Sequence, residues 1–212
     1  MVRTVIASAL LATGHPAQAL AQAERAASES SNVAFRSLVH IAIAQQALGN
    51  AAEAKQTSAE VTRRAAASLN MREKGRALEL RGRLAVQRGE TARGIADLAQ
   101  AESTMRRVGG GPPGLFLTEH VPLWFALGSA HLIAGHLDEA AVRFLKIIDG
   151  GRMRVAYPIE FVRSVYFLGQ IAERQGDRAK AADYYRRFLQ YWGDGDIDRD
   201  KVADARKKLA GT

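Results

Sequence analysis

The sequence predicts an all-α fold in which about five antiparallel helix pairs stack into a solenoid and one further helix caps its C-terminal end. Three observations predict it. Helical runs are interrupted at glycines that are 35, 40, 46 and 41 residues apart, namely Gly14, Gly49, Gly89, Gly135 and Gly176. A small residue lies seven positions before each of them, and another lies five positions after it. Helical patterning then resumes at once, so each glycine is expected to end one helix in the left-handed conformation and to start a tight turn.

The small residues mark the places where the two helices of a pair are expected to cross, because small side chains let two backbones approach closely. Those before the turns are Ala7, Ala42, Gly82, Gly128 and Gly169, and those after the turns are Ala19, Ala54, Gly94, Ala140 and Ala181. One pair cannot bury its apolar face alone, so successive pairs are expected to stack.

The predicted helix pairs occupy residues 2–29, 32–69, 71–107, 115–149 and 157–191, and the capping helix occupies residues 198–210. The capping helix has acidic residues at its start and basic residues near its end, which suits the helix dipole. The segment "GGGPPG" at 109–114 cannot continue a helix. We expect one solenoid over residues 1–212, with degenerate repeats at 1–108, a loop at 109–114 and better-formed repeats at 115–191. The alternative is two blocks joined by a flexible link.

The composition is that of a folded chain with a basic surface. Of the 212 residues, 47% are hydrophobic and 25% are charged, and cysteine is absent, which excludes disulfides and thiolate chemistry. No apolar run reaches the roughly 18 residues of a membrane span. The net charge is +8, and residues 60–110 carry 11 basic and 6 acidic side chains. Such a basic band can attract an acidic partner.

The N-terminal 23 residues admit two interpretations. They can be a secretory signal peptide with an Ala-Gln-Ala cleavage site, which would place the protein in the periplasm. The apolar stretch is short and contains Ser8 and Thr13. We therefore favour a first helix pair of the fold and a cytoplasmic protein.

Two segments resemble a known family. "VPLWFALGSAHLIAGHLDEAAVRFLKI" and "VRSVYFLGQIAERQGDRAKAADYYRRF" resemble the W-x-x-L-G…A-x-x-x-F pattern of the tetratricopeptide repeat. The first carries Trp124, Leu127, Gly128, Ala140 and Phe144, and the second carries Leu168, Gly169, Ala172, Ala181 and Tyr185. The resemblance implies a right-handed α-solenoid that binds other proteins.

The C-terminal run "ERQGDRAKAADYYRRFLQYWGDGDIDRDKVADARKKLAG" is similar to the end of the tetratricopeptide region at the C-terminus of some bacterial serine/threonine protein kinases and related multidomain regulators. This similarity implies a sensory or scaffolding segment of a larger signalling protein. The catalytic segments of a kinase are missing from this sequence.

No motif in the sequence predicts catalysis, a cofactor or a metal site. His131 and His136 are five residues apart, whereas two zinc ligands on one helix face need a spacing of four. The acidic run at 194–205 imitates a calcium loop, but Arg199 and Ala205 stand where glycine and glutamate are required. We therefore expect a non-enzymatic protein without cofactor.

The concave face of the predicted solenoid is the candidate binding site. Three of its first helices offer arginine at one corresponding place, and arginine suits carboxylates. We therefore predict that the groove binds a peptide or protein segment of acidic character. The predicted groove residues are Arg36, Arg76, Arg83, Phe125, Arg163, Tyr166 and Gln170. A nucleic-acid binder is a third, disfavoured alternative, because few aromatics lie at repeating exposed positions. The oligomeric state is left open.

Overall fold

A computed structural model describes residues 2–29, 31–106, 120–150 and 153–211. Within these ranges all regular secondary structure is helical. The chain divides into two compact units, residues 1–110 and residues 111–212, which we call the N-terminal unit and the C-terminal unit. The predicted loop at 109–114 lies outside the described residues, and the prediction of one solenoid through both units stays a prediction.

The N-terminal unit contains three consecutive helix pairs. Its helices are α1 (Val2–Ala12), α2 (Pro16–Glu29), α3 (Ser31–Ala47), α4 (Ala51–Ala67), α5 (Met71–Gln87) and α6 (Thr91–Arg106). Each helix packs against the next along the chain, and α3 also contacts α1 and α5. The first helices of the pairs therefore lie side by side in one layer.

The C-terminal unit contains two helix pairs, a short helix and a terminal helix. These are α7 (Val121–Ile133), α8 (Leu137–Ile148), α9 (Met153–Ala156), α10 (Pro158–Arg174), α11 (Arg178–Trp192) and α12 (Arg199–Ala210). Helix α10 packs against α7, α8 and α11, and α12 packs against α11. Stacked helix pairs in both units confirm the predicted all-α repeat architecture, which is consistent with a helical solenoid.

The five predicted turn glycines all adopt the left-handed conformation, with φ between 78° and 83°. After each glycine, the next backbone N–H donates to the carbonyl oxygen five residues before it, at 2.8–2.9 Å. This is the Schellman arrangement, which satisfies carbonyl groups at the end of a helix. The sequence-based prediction of these turns is confirmed.

Substitution of Gly176 by alanine is expected to destabilise the C-terminal unit by about 1–2 kcal/mol, the usual cost of a left-handed alanine. The strain is confined to the backbone, because a Cβ atom at Gly176 would meet nothing within 4 Å. Urea unfolding followed by tryptophan fluorescence measures the effect, since Trp124 and Trp192 both lie in this unit. Gly176→Asn is the control and should cost less, because asparagine tolerates this conformation. Wild-type stability in the alanine variant would contradict the expectation.

The ten small residues predicted at the helix crossings are all buried. At the crossing of α5 and α6, a Cβ atom on Gly82 would lie 2.9 Å from the carbonyl oxygen of Gly94. At the next two crossings, a Cβ atom on Gly128 or on Gly169 would lie 2.8 Å from the ring of Phe144 or Tyr185, respectively. Glycine at these places therefore makes room for a facing backbone or for an aromatic ring.

The two units have different cores. A cluster of aromatic and aliphatic side chains fills the C-terminal unit, with Phe144, Phe188 and Tyr185 among its largest buried members. The clusters of the N-terminal unit consist mainly of alanine, valine and leucine. Large aromatic side chains are thus concentrated in the core of the C-terminal unit.

Candidate functional site

Two of the predicted groove arginines, Arg76 and Arg83, pair with one buried carboxylate on α5, and Arg36 on the neighbouring helix α3 acts with them on His40. On α5, Arg76 Nη1 lies 3.1 Å from Glu79 Oε2, and Arg83 Nη2 lies 2.8 Å from Glu79 Oε1. The spacings of three and four residues place all three side chains on one helix face. Glu79 is only 4% exposed, whereas both arginine side chains are partly exposed. Arg36 on α3 is exposed.

His40 on α3 is influenced by charged residues of both helices. Burial, which has the largest effect, and the positive charges of Arg76, Arg36 and Arg83 together lower the pKa of His40 from 6.5 to about 4, against the opposing effect of Glu79. The His40 side chain is therefore neutral at neutral pH. Its Nδ1 atom is buried and has no hydrogen-bond partner among the described residues.

Glu79 stays ionised in this site. Burial raises the pKa of its carboxyl group, but the charges and hydrogen bonds of Arg83 and Arg76 outweigh burial and hold the pKa below its usual value. We call Arg36, His40, Arg76, Glu79 and Arg83 the arginine cluster. At neutral pH it has three guanidinium groups and one carboxylate, hence a net charge of +2. Such a site favours an additional anion.

Phe125 lies in the C-terminal unit. Its ring centroid is 5.9 Å from the ring centroids of both Phe144 and Phe167. The side chain is partly buried and packs against the core of that unit. A role for Phe125 in contacting a partner stays a prediction.

Arg163, Tyr166 and Gln170 on α10 contact the C-terminal helix or each other. Arg163 Nε donates to Asp198 Oδ2 at 2.7 Å, directly before α12. Tyr166 Oη donates to Asp204 Oδ2 at 2.8 Å and accepts from Gln170 Nε2 at 3.0 Å.

These bonds give α12 a role beyond that of a polar cap. Tyr166 is 5% exposed, and burial together with Asp204 raises the pKa of its hydroxyl group. Lys208 near the end of α12 forms an ion pair of 2.6 Å with Glu173 on α10. The charges that the sequence assigned to the helix dipole thus also fasten α12 to α10. Partner binding by these α10 residues stays a prediction, and it would require α12 to move.

Sequence reasoning missed His40 and gave Glu79 no role. The signal for both is their position, since His40 follows Arg36 by four residues and Glu79 lies between Arg76 and Arg83. Among the described residues, no group of three or more histidines and carboxylates is arranged to hold a metal ion. No helix in the described part of the chain is long and apolar enough to span a membrane.

The comparison with protein families identifies one repeat. The tetratricopeptide repeat family model matches residues 162–191, which cover most of α10 and α11. This match confirms the second of the two repeat motifs found in the sequence. A search of curated proteins finds no match to the chain.

Fold and comparison together define a class of protein. The chain is an all-helical protein of packed helix pairs that contains a tetratricopeptide repeat. Such repeats are generally non-catalytic and suggest a protein–protein interaction module.

Proposed function

We propose that this protein is a non-catalytic interaction module whose arginine cluster binds an acidic segment of a peptide or protein. The tetratricopeptide repeat at 162–191 supports the class of function. The observation that carries the choice of an acidic ligand is the net positive charge of the arginine cluster on α3 and α5. Guanidinium groups form short, charge-assisted hydrogen bonds with carboxylates.

Glu79 has two opposing effects on such a ligand. It holds Arg76 and Arg83 in place, so their planar groups need little further ordering when a ligand binds. It also neutralises part of their charge and occupies some of their N–H donors. A ligand carboxylate would therefore interact with the net positive charge that both arginines and Arg36 leave after pairing with Glu79.

The proposal predicts that Glu79→Gln binds an acidic peptide about tenfold more tightly than the wild type does, a change of about 1.4 kcal/mol. Glutamine keeps the size of the side chain and one acceptor oxygen but removes the competing negative charge. Fluorescence anisotropy with a labelled poly-glutamate peptide measures the affinity. Arg36→Ala should weaken binding, and added salt should weaken binding to every variant.

Glu60→Gln is the matched control. Glu60 on α4 is also paired with two arginines, Arg63 and Arg64, but these side chains are more exposed and lie on a second helix. The control should leave the affinity unchanged apart from a small effect of net charge. Equal affinity gains in both variants would refute the arginine cluster as the site, and so would equal binding of a poly-glutamine peptide.

The similarity of residues 173–211 to the tetratricopeptide region of bacterial kinase-type regulators favours a second candidate, a sensory or scaffolding segment of such a regulator. The full-length reading frame and its neighbouring genes would decide this point, because a kinase domain would have to precede the repeats.

The ion pairs of the N-terminal unit favour a protein ligand over a nucleic acid. Several arginines of the basic band are already paired with carboxylates, namely Arg63 and Arg64 with Glu60, Arg76 and Arg83 with Glu79, and Arg88 and Arg93 with Glu90. A nucleic acid that contacts the whole band would have to compete with all three carboxylates, whereas the proposed acidic segment has to compete with Glu79 alone. A gel shift at two salt concentrations would test the alternative, since phosphate contacts weaken steeply with salt.

A further inference from the structure

The turn between α7 and α8 brings two imidazole rings into contact. His131 lies in the last turn of α7, and His136 lies directly before α8. Their Nδ1 atoms are 3.4 Å apart, and their ring centroids are 5.6 Å apart. The backbone N–H of His136 donates to the carbonyl oxygen of His131 at 2.9 Å, which fixes the positions of both residues.

The Schellman turn explains why a spacing of five residues works here. In this turn the residue after the glycine packs against the residue five positions earlier. The required spacing of four residues from one zinc ligand to the next applies to one continuous helix and not across a turn. The corresponding pairs at the other turns are Leu10 and His15, Gln45 and Asn50, Ala85 and Glu90, and Ala172 and Asp177. Two histidines stand together at the fourth turn alone.

We propose that His131 and His136 chelate a transition-metal cation of the Zn²⁺ type through their Nδ1 atoms. Zinc–nitrogen bonds are about 2.0–2.1 Å long, so two nitrogens on a tetrahedral zinc ion lie about 3.4 Å apart. The observed distance between the two Nδ1 atoms equals this value. The proposal departs from the sequence-based expectation that the chain holds no metal.

The surroundings of the pair set its affinity. The His131 side chain is partly buried, whereas that of His136 is exposed. Glu139 on α8 acts on His131 as a negative charge and Arg143 as a positive one. No third histidine or carboxylate in the described residues completes the site, so water molecules would have to supply the other ligands of the ion. The affinity is therefore below that of a closed structural zinc site.

Titration of the full chain, prepared without a histidine tag, with Zn²⁺ alone tests the proposal. Isothermal calorimetry is expected to show one ion per chain at this site. His131→Asn and His136→Asn should each weaken Zn²⁺ binding by more than about tenfold. Loss of a residue that only hydrogen-bonds a metal ligand already weakens binding by about tenfold, and loss of a ligand itself should cost more. Both positions are at least partly exposed, so these variants should fold.

His15→Asn is the matched control, because His15 follows the first turn glycine but Leu10 stands at the place of the second histidine, and His15 Nδ1 lies 3.1 Å from Thr13 Oγ1. It should bind Zn²⁺ as the wild type does. In the wild type, ¹⁵N spectra of the histidine rings should shift at Nδ1 of both His131 and His136. Undiminished binding by either asparagine variant, or shifts at Nε2 alone, would overturn the proposal. The acidic-peptide experiment is independent of this outcome, since it concerns side chains of the N-terminal unit.

Discussion

Replacing Phe144 by alanine is expected to lower the free energy of unfolding of the C-terminal unit by about 3–5 kcal/mol. The side chain is fully buried, and its ring centroid lies 5.3 Å from that of Phe167 and 5.9 Å from that of Phe125. Truncation would remove this contact area and leave a cavity between α7, α8 and α10. Urea unfolding followed by tryptophan fluorescence measures the change.

The contact between Gly128 and Phe144 can also be tested by enlarging the side chain at Gly128. A Cβ atom there would lie 2.8 Å from Cε1 of Phe144, so Gly128→Ala should cost about 1–3 kcal/mol through overpacking. In the double variant Gly128→Ala/Phe144→Leu the smaller side chain leaves room for the new methyl group. The double variant should therefore be more stable than the sum of the two single changes predicts.

Val142→Ala serves as the control for these substitutions. Val142 is 52% exposed on α8, and its truncation should change the stability by less than about 0.5 kcal/mol. Additive costs of the Gly128 and Phe144 changes would contradict the proposed packing relation between the two residues.

The packing of a large side chain against a glycine of the facing helix also explains how much of the fold could be predicted from the sequence. Nine residues after the turn glycines stand Ala23, Ser58, Leu98, Phe144 and Tyr185, whereas seven residues before them stand Ala7, Ala42, Gly82, Gly128 and Gly169. Where the later residue is large, the earlier one is glycine. These contacts join neighbouring helices within one pair, so a local periodicity of the sequence records them. Helix positions could therefore be predicted closely.

The candidate site was less predictable, because it depends on contacts between distant parts of the chain. Arg163 binds Asp198, which is 35 residues away, and Tyr166 binds Asp204, which is 38 residues away. The repeat pattern treats α10 like any other first helix and carries no information about α12 packing on it. Arg76 and Arg83 were predicted as groove residues, which stays a prediction, and the burial of the carboxylate that they share is seen only in the structure.

The N-terminal unit is expected to lose roughly 2 kcal/mol of stability when the pH falls from about 7.5 to about 5, because of His40. In the folded protein burial and the charges of Arg76, Arg36 and Arg83 together lower the pKa of His40 to about 4, while Glu79 opposes them. The unfolded chain binds this proton at the ordinary pKa of 6.5. Between these two values the unfolded state holds more protons. The stabilisation is therefore complete above pH 6.5 and is lost as the pH falls toward 4.

Hydrogen exchange of α3 and α5 peptides measures this effect in the N-terminal unit itself, which contains neither tryptophan nor tyrosine. Protection should fall between the two pH values after correction for the intrinsic exchange rate. In His40→Gln the free energy of opening should be nearly independent of pH in this window, whatever its absolute value. His15→Gln, an exposed histidine in the same unit, should keep the wild-type slope. A slope that survives the His40 substitution would assign the pH dependence to another group, since Glu79 has its pKa below the window and stays ionised throughout.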